Sequence, residues 1–239
     1  MSEPTRAPSP LPAALLGAVG GTLLTLLVLV LGANAGWFDR YVRQSMVRDP
    51  DMLIAASESL KERQYAPTLA ANRAALETPF GSSWQGAAKP EVTLVEFYDY
   101  ACGFCKASLP VLDRLLKEDP GLRIVYRDFP ILGEGSIAAA RMALGASKAG
   151  KFTVFHDALY AAGRPDQQTL AQAAQAAGIP AAIPQSPEYE SELKRNYQLA
   201  TELGATGTPL FVVGDRVLNG AVGYDTLKAA IAAARARKG

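Results

Sequence analysis

A run of β-branched and aromatic residues, Val92-Thr93-Leu94-Val95-Glu96-Phe97-Tyr98, reads as a strand and gives way almost at once to a helical pattern. In that second segment Leu109, Leu112, Leu115 and Leu116 recur at helical spacing. The junction holds Cys102-Gly103-Phe104-Cys105, which contains the only two cysteines of the chain. A helix N-terminus carries partial positive charge and free amides, so it favours a thiolate placed there. The thiolate is the species that attacks disulfides. A Cys-x-x-Cys pair beside a strand–helix pattern is therefore a redox signature.

Other uses of the pair are weaker. A structural disulfide across two residues closes a very small loop and gains little from loop entropy. A closed zinc site needs about four ligands, and the chain offers no further cysteine and one histidine, His156. Two inert thiols would need no such junction. No metal site is expected. A net charge of +1 and the lack of a basic cluster interleaved with aromatics exclude a nucleic-acid partner.

The 239 residues hold one domain with appendages. No charge lies between Arg6 and Asp39, and Leu11 to Leu31 is almost wholly apolar, long enough to span a bilayer. A signal peptide has an apolar core of about 7–15 residues, shorter than this one. Ala33-Asn34-Ala35 nevertheless has the small-x-small form that a signal peptidase accepts. The favoured reading is an uncleaved anchor; the alternative is secretion after cleavage. Arg40, Arg43 and Arg48 follow the span, but long domains translocate largely regardless of such charge. A lone reactive dithiol also fits an oxidising compartment. The expected location is a bacterial cytoplasmic membrane with the catalytic domain in the periplasm.

Beyond the span, Asp49 is an N-cap candidate, Pro50 the first helical residue, and Met52, Leu53, Ala56 and Leu60 share one face. That face packs on its own domain or on a second copy. The helix is expected to reach Arg63, with Pro67 separating it from a second run, Leu69 to Leu76. Gly81-Ser82-Ser83 and Gly86-Ala87-Ala88 read as a flexible stretch. After the cysteines come a strand, Leu122–Tyr126, and an alanine-rich helical region, Ile137 to Leu203, broken at Gly163–Pro165 and Gly178–Pro187. A hairpin of Leu210–Val213 and Val217-Leu218 and a helix from Tyr224 to Arg237 close the chain.

Strand, helix, strand, helical insert, hairpin and helix is the order of an α/β thioredoxin fold carrying an inserted helical domain. Together with the Cys-x-x-Cys and Thr208-Pro209, it resembles the DsbA family of extracytoplasmic thiol–disulfide oxidoreductases over about Glu91 to Ala234. Asp49 to Leu53 and the helix after it resemble the ScsC-like branch, whose members oligomerise through such a segment. The expected organisation is a tail over 1–10, a transmembrane anchor or signal peptide over 11–35, and a helical stalk and linker over 36–88 that is a candidate oligomerisation segment. The thioredoxin domain covers 89–239, its insert about 134–204.

The resemblance implies roles for individual residues. Cys102 is the nucleophile, Cys105 resolves the mixed disulfide, and the two form the redox-active disulfide. Gly103 and Phe104 set the redox poise, where about 30 mV corresponds to about 1.4 kcal/mol. Many relatives carry Pro-His there, so a milder oxidant is expected. Thr208 precedes Pro209, which is expected to be cis and to lie against the pair, with Gly204 and Gly207 giving the backbone room. Glu96 is expected beneath the pair as a proton relay to Cys105, with Lys106 as counter-charge; otherwise it is an edge acid facing water. Tyr98, Asp99 and Tyr100 shape the site, and His156 is a packed or solvated residue of the insert. No cofactor is implied. The implied partners are exported proteins with thiols or disulfides, a DsbB-like or DsbD-like membrane redox partner, the membrane itself and a homo-oligomer. Two other functions stay open: an oligomeric disulfide isomerase or reductase, and a Cu(I)-binding copper-tolerance protein, since thiolates suit that ion.

Overall fold

The computed structural model describes residues 37–48 and 50–237. Asp49 and the apolar run 11–31 lie outside them. Among the described residues no helix is long and apolar enough to cross a membrane. They divide into two compact units with the boundary between Glu58 and Ser59. The first holds helix α1 (Trp37–Arg48) and the start of α2 (Pro50–Glu77). Its apolar side chains Tyr41, Val47, Met52, Leu53 and Ile54 are exposed.

The second unit contains a five-stranded mixed sheet of order β1-β3-β2-β4-β5. Its strands are β1 (Trp84–Gly86), β2 (Val92–Tyr98), β3 (Leu122–Asp128), β4 (Leu210–Val213) and β5 (Arg216–Asn219). Helix α3 (Gly103–Glu118) connects β2 to β3, which run parallel, as a strand–helix–strand crossover requires. The insert supplies α4 (Glu134–Lys148), α5 (Phe152–Ala162), α6 (Gln167–Ala177) and α7 (Pro187–Glu202), and α8 (Tyr224–Ala236) closes the unit. This is a thioredoxin-like α/β fold.

Every residue of β2 is buried, and alternation along it splits the core in two. Val92, Leu94 and Tyr98 face a cluster with Cys102, Cys105, Leu112, Phe155 and Leu227. Val95 and Phe97 face the other side, against Leu69 and Leu76 of α2 and Leu199 of α7. Glu96 shares the parity of Leu94 and Tyr98, so the strand period alone turns it toward α3 rather than α2.

Two local expectations are corrected. Helix α2 runs unbroken through Pro67. The proline forfeits one amide hydrogen bond to the carbonyl of Arg63, but the turns on either side continue, and Leu69 and Leu76 are anchored in the second core cluster. The supposedly flexible stretch contains β1, whose Trp84, Gln85 and Gly86 pair with Val125, Ile124 and Arg123. A strand so short shows no readable alternation; its partner strand makes it.

Arg127 ties α2 to the sheet. It is 3% exposed, and all five guanidinium N–H groups donate. The acceptors are the carbonyls of Ala75, Leu76 and Thr78 at the end of α2, with Glu192 and Asn196 of α7. A cation on those last carbonyls also complements the helix dipole.

Candidate active site

Cys102 is the N-cap of α3, with extended backbone (φ −82°, ψ 116°). Its amide donates to Asp99 O at 3.0 Å, and its own carbonyl accepts the amide of Lys106 at 3.2 Å to start the helix. Cys105 follows one turn later. The turn decides their unequal burial: Cys102 is 7% exposed and Cys105 not at all. Both are free thiols.

The Thr208-Pro209 peptide is cis, and it packs where the motif led one to look. Cys102 Sγ donates to the Thr208 carbonyl at 3.2 Å. Immediately beyond, Leu210 pairs with Phe97 in β2, which holds this loop against the start of α3. Of the two upstream glycines, Gly204 has a positive φ of +70°, and a side chain there would strike the Tyr65 ring. Gly207 has no such constraint.

Glu96 lies beneath the pair. It is 1% exposed, and its Oε1 has no hydrogen-bond partner, so the edge-acid alternative does not hold. Burial, then the Cys102 charge, pushes its carboxyl up to about 8. Burial, then the Glu96 charge, pushes the Cys105 thiol well above its usual range. Cys105 is thus a neutral thiol beside a carboxyl that exchanges its proton near physiological pH. Lys106 is exposed while Glu96 is buried, and among the described residues the two form no ion pair, so the expected counter-charge is not there.

Asp99 does more than line the approach. One carboxylate oxygen accepts from Ala101 N at 2.7 Å and Ser136 Oγ at 2.6 Å. The other accepts from Ile131 N at 2.8 Å and Leu132 N at 3.0 Å. This joins the turn before Cys102 to the loop after β3. Ile131 and Leu132 are 39% and 45% exposed there, and Phe104 between the cysteines is 68% exposed. The apolar loop was missed in the sequence because Pro130-Ile131-Leu132-Gly133 belongs to no periodic element. A Cβ on Gly103 would meet nothing within 4 Å.

His156 is buried at 1% among Tyr98, Tyr100, Tyr126, Phe152 and Tyr160. Its Nδ1 lies 3.2 Å from Tyr100 Oη. Burial holds the imidazole neutral, pushing its pKa down to about 3.

Comparison with known proteins is consistent with this geometry. Residues 93–232 match the family model described as DSBA-like thioredoxin domain. A periplasmic thioredoxin-like protein from Salmonella enterica serovar Typhimurium is 32% identical with a TM-score of 0.63, covering 69% of this chain and 95% of that one. A thioredoxin-like oxidoreductase from Silicibacter pomeroyi is 37% identical with a TM-score of 0.65, covering 70% and 99%. The catalytic domain of Proteus mirabilis ScsC is 29% identical with a TM-score of 0.64, covering 70% and 97%. Among curated proteins, the Na(+)/H(+) antiporter NhaA 3 of Salinispora tropica is 26% identical over 92% of this chain. The chain spans about a third of that relative's length, 32%. With the fold, the cysteine junction and the family match in agreement, the chain belongs to the DsbA-like thioredoxin domain family of thiol–disulfide oxidoreductases.

Proposed function

We propose that the protein exchanges disulfides with exported polypeptides through Cys102 and Cys105, outside the cytoplasmic membrane and tethered to it by residues 11–35. The observation that carries this reading is the stacked arrangement of groups: Cys102 at the helix N-terminus against the Thr208 carbonyl, Cys105 below it, and an unpartnered carboxyl, Glu96, at the bottom. The tether and location rest on the apolar run and on the periplasmic relative.

In the oxidising direction a client thiolate attacks Sγ of Cys102 in the Cys102–Cys105 disulfide. The Cys102–Cys105 bond breaks, a client–Cys102 bond forms, and Cys105 leaves with the electron pair. Burial penalises a thiolate at Cys105, so it takes the proton that Glu96 holds. A second client thiolate then attacks the client sulfur of the mixed disulfide, forming the client disulfide and releasing Cys102 as thiolate. Two electrons pass from client to protein, and a membrane redox partner reoxidises the pair. In reverse, Cys105 gives its proton to Glu96 and attacks Cys102 Sγ of the mixed disulfide; the Cys102–Cys105 bond forms, the client–Cys102 bond breaks, and the client leaves as thiolate. The exposed Phe104, Ile131 and Leu132 offer an apolar surface for an unfolded client.

A second reading, an oligomeric isomerase or reductase, is favoured by one observation. Met52, Leu53 and Leu60, which share one face of α2, are 48%, 49% and 67% exposed, an apolar face suited to a second copy. The copper reading has only the two thiols to carry it. Replacing Cys102 by Ser should abolish oxidation of reduced ribonuclease and reshuffling of scrambled ribonuclease alike. Retention of either activity would overturn the assignment. With the native chain, reshuffling without net oxidation, together with a mass above the monomer, selects the isomerase.

A further inference from the structure

The loop from Leu203 to Pro209 joins α7 to β4 and presents the Thr208 carbonyl to Cys102 Sγ at 3.2 Å. A loop without helix or strand of its own must be fixed by its surroundings if it is to hold one atom against a reacting sulfur. Its polar anchors are traceable. Helix α7 ends in a Schellman motif, in which Ala205 N donates to Ala200 O at 2.9 Å and Gly204 N to Thr201 O at 3.0 Å. Thr206 N donates to the exposed Asn219 Oδ1 at 3.3 Å, and Gly220 N to Pro209 O at 2.8 Å. The Schellman bonds tie Gly204 to its own helix alone.

What stands against Gly204 from outside that helix is Tyr65 of α2. Gly204 has the left-handed φ, +70°, that the motif requires. A Cβ built there would strike Tyr65 Oη and come within 3.1 Å of Cζ. The tip of the tyrosine therefore lies directly on the loop backbone. Tyr65 and Ala205 both pack on the core cluster that contains Leu203, where the loop begins, and Leu210, where β4 begins.

A brace must itself be held, and α2 is. Arg73 donates to Gly214 O at 3.1 Å and pairs with Asp215 at 2.7 Å, and Glu62 pairs with Arg216 at 3.0 Å. Those partners form the turn between β4 and β5, at the end of β4 away from Thr208. Arg127 grips the carbonyls at the end of α2, and Leu69 and Leu76 bury its face. The helix is registered on the sheet at the far end of β4 and meets the loop at the near end.

We propose that Tyr65 is a positioning residue of the exchange reaction: by bracing Gly204 it holds the backbone through Thr208 so that the Thr208 carbonyl meets Cys102 Sγ. The proposal rests on Cys102 being the reacting thiol. The bond it secures exists only in the reduced protein, since a disulfide has no S–H to donate. Tyr65 thereby biases the pair toward the dithiol and makes the protein a stronger oxidant than the same loop unbraced.

The S–H stretch of Cys102 reads that bond in the reduced full chain at acid pH, and its loss in Cys102→Ser assigns it. In the native chain it should lie below the frequency of a free thiol. Tyr65→Leu keeps apolar bulk in the core but does not reach Gly204, and should move the band to the free-thiol position. Tyr65→Phe keeps the ring and should leave the band in place. So should Leu76→Val, which trims the same core cluster about three turns further along α2. The equilibrium constant with glutathione should shift about tenfold toward the disulfide in Tyr65→Leu, about 30 mV, and under twofold in the other two. An unmoved band in Tyr65→Leu, or an equal displacement by Leu76→Val, reduces Tyr65 to packing and overturns the proposal. Gly204→Ala, which drives a methyl into Tyr65 from the loop side, should displace the band as well, and a native band there overturns it too. A moved band with the equilibrium unchanged, or shifted toward the dithiol, overturns the redox bias. A chain that exchanges with no client while its band answers to Tyr65 breaks the oxidoreductase reading and leaves the brace standing.

Discussion

Glu96 and Asp99 are buried carboxyls at opposite ends of one short stretch of chain, and they are treated oppositely. Asp99 accepts four hydrogen bonds, three from backbone amides and one from Ser136. Glu96 has an oxygen with no partner and is pushed up to about 8. A fully paired buried carboxylate holds structure, here by joining the turn before Cys102 to the loop at Ile131. An unpaired one is costly to keep charged, and that cost makes its proton available at working pH. The difference separates the residue that builds the site from the one proposed to act in it.

The comparison breaks most visibly through stability. Asp99→Ala leaves three amides and a hydroxyl without their acceptor, and should lower the unfolding free energy by about 3–5 kcal/mol. Urea denaturation followed by circular dichroism measures it; a loss below about 1 kcal/mol would make Asp99 as dispensable as a surface acid. Glu96→Gln should leave the fold intact and slow the step involving Cys105 by about 10²-fold at neutral pH. Stopped-flow decay of a mixed disulfide reads that step directly, and a change under threefold would remove Glu96 from the proton transfer.

The smallest effect lies in the pH dependence of stability. The folded-state pKa of Glu96 is above its unfolded value, so its stabilising share is complete below about 4.5 and is lost as pH rises through about 8. Glu96→Gln should flatten the alkaline decline by about 1–3 kcal/mol at pH 9. Part of the decline will remain, because Asp128 is also pushed up, by burial, to about 8. His156 acts in the other direction: its share is present above about 6.5 and is lost as pH falls toward about 3. The acid limb should therefore be the same in both proteins. If it moves with Glu96→Gln, the two groups are coupled and the assignment of the limbs is wrong.

Much of this was legible in the chain itself. The strand Val92–Tyr98 and the hairpin around Gly214 follow β-branched runs, and the helix after Cys102 follows its leucine spacing. Glu96 was readable because strand parity and its distance from Cys102 are both local. Trp84–Gly86 was not, since pairing with β3 makes that strand. The continuity of α2 through Pro67 was equally hidden, because local propensity argues for a break and only the buried Leu69 and Leu76 outweigh it. Asp99 looked like a lining residue; three of its four donors come from the distant segment Ile131 to Ser136.

The sequence by itself determined the chemistry: two cysteines one helical turn apart at a strand–helix junction, an acid on the same strand face, and a Thr-Pro before a β-hairpin. Those are short-range patterns, and backbone periodicity converts them directly into geometry. Only the tertiary structure decided which buried groups end with partners and which without. It paired Asp99 and left Glu96 Oε1 and His156 Nε2 without a hydrogen-bond partner, because hydrogen-bond satisfaction depends on atoms brought together from segments far apart in the chain. The unpartnered oxygen of Glu96, rather than the motif, marks the carboxyl proposed to carry the proton.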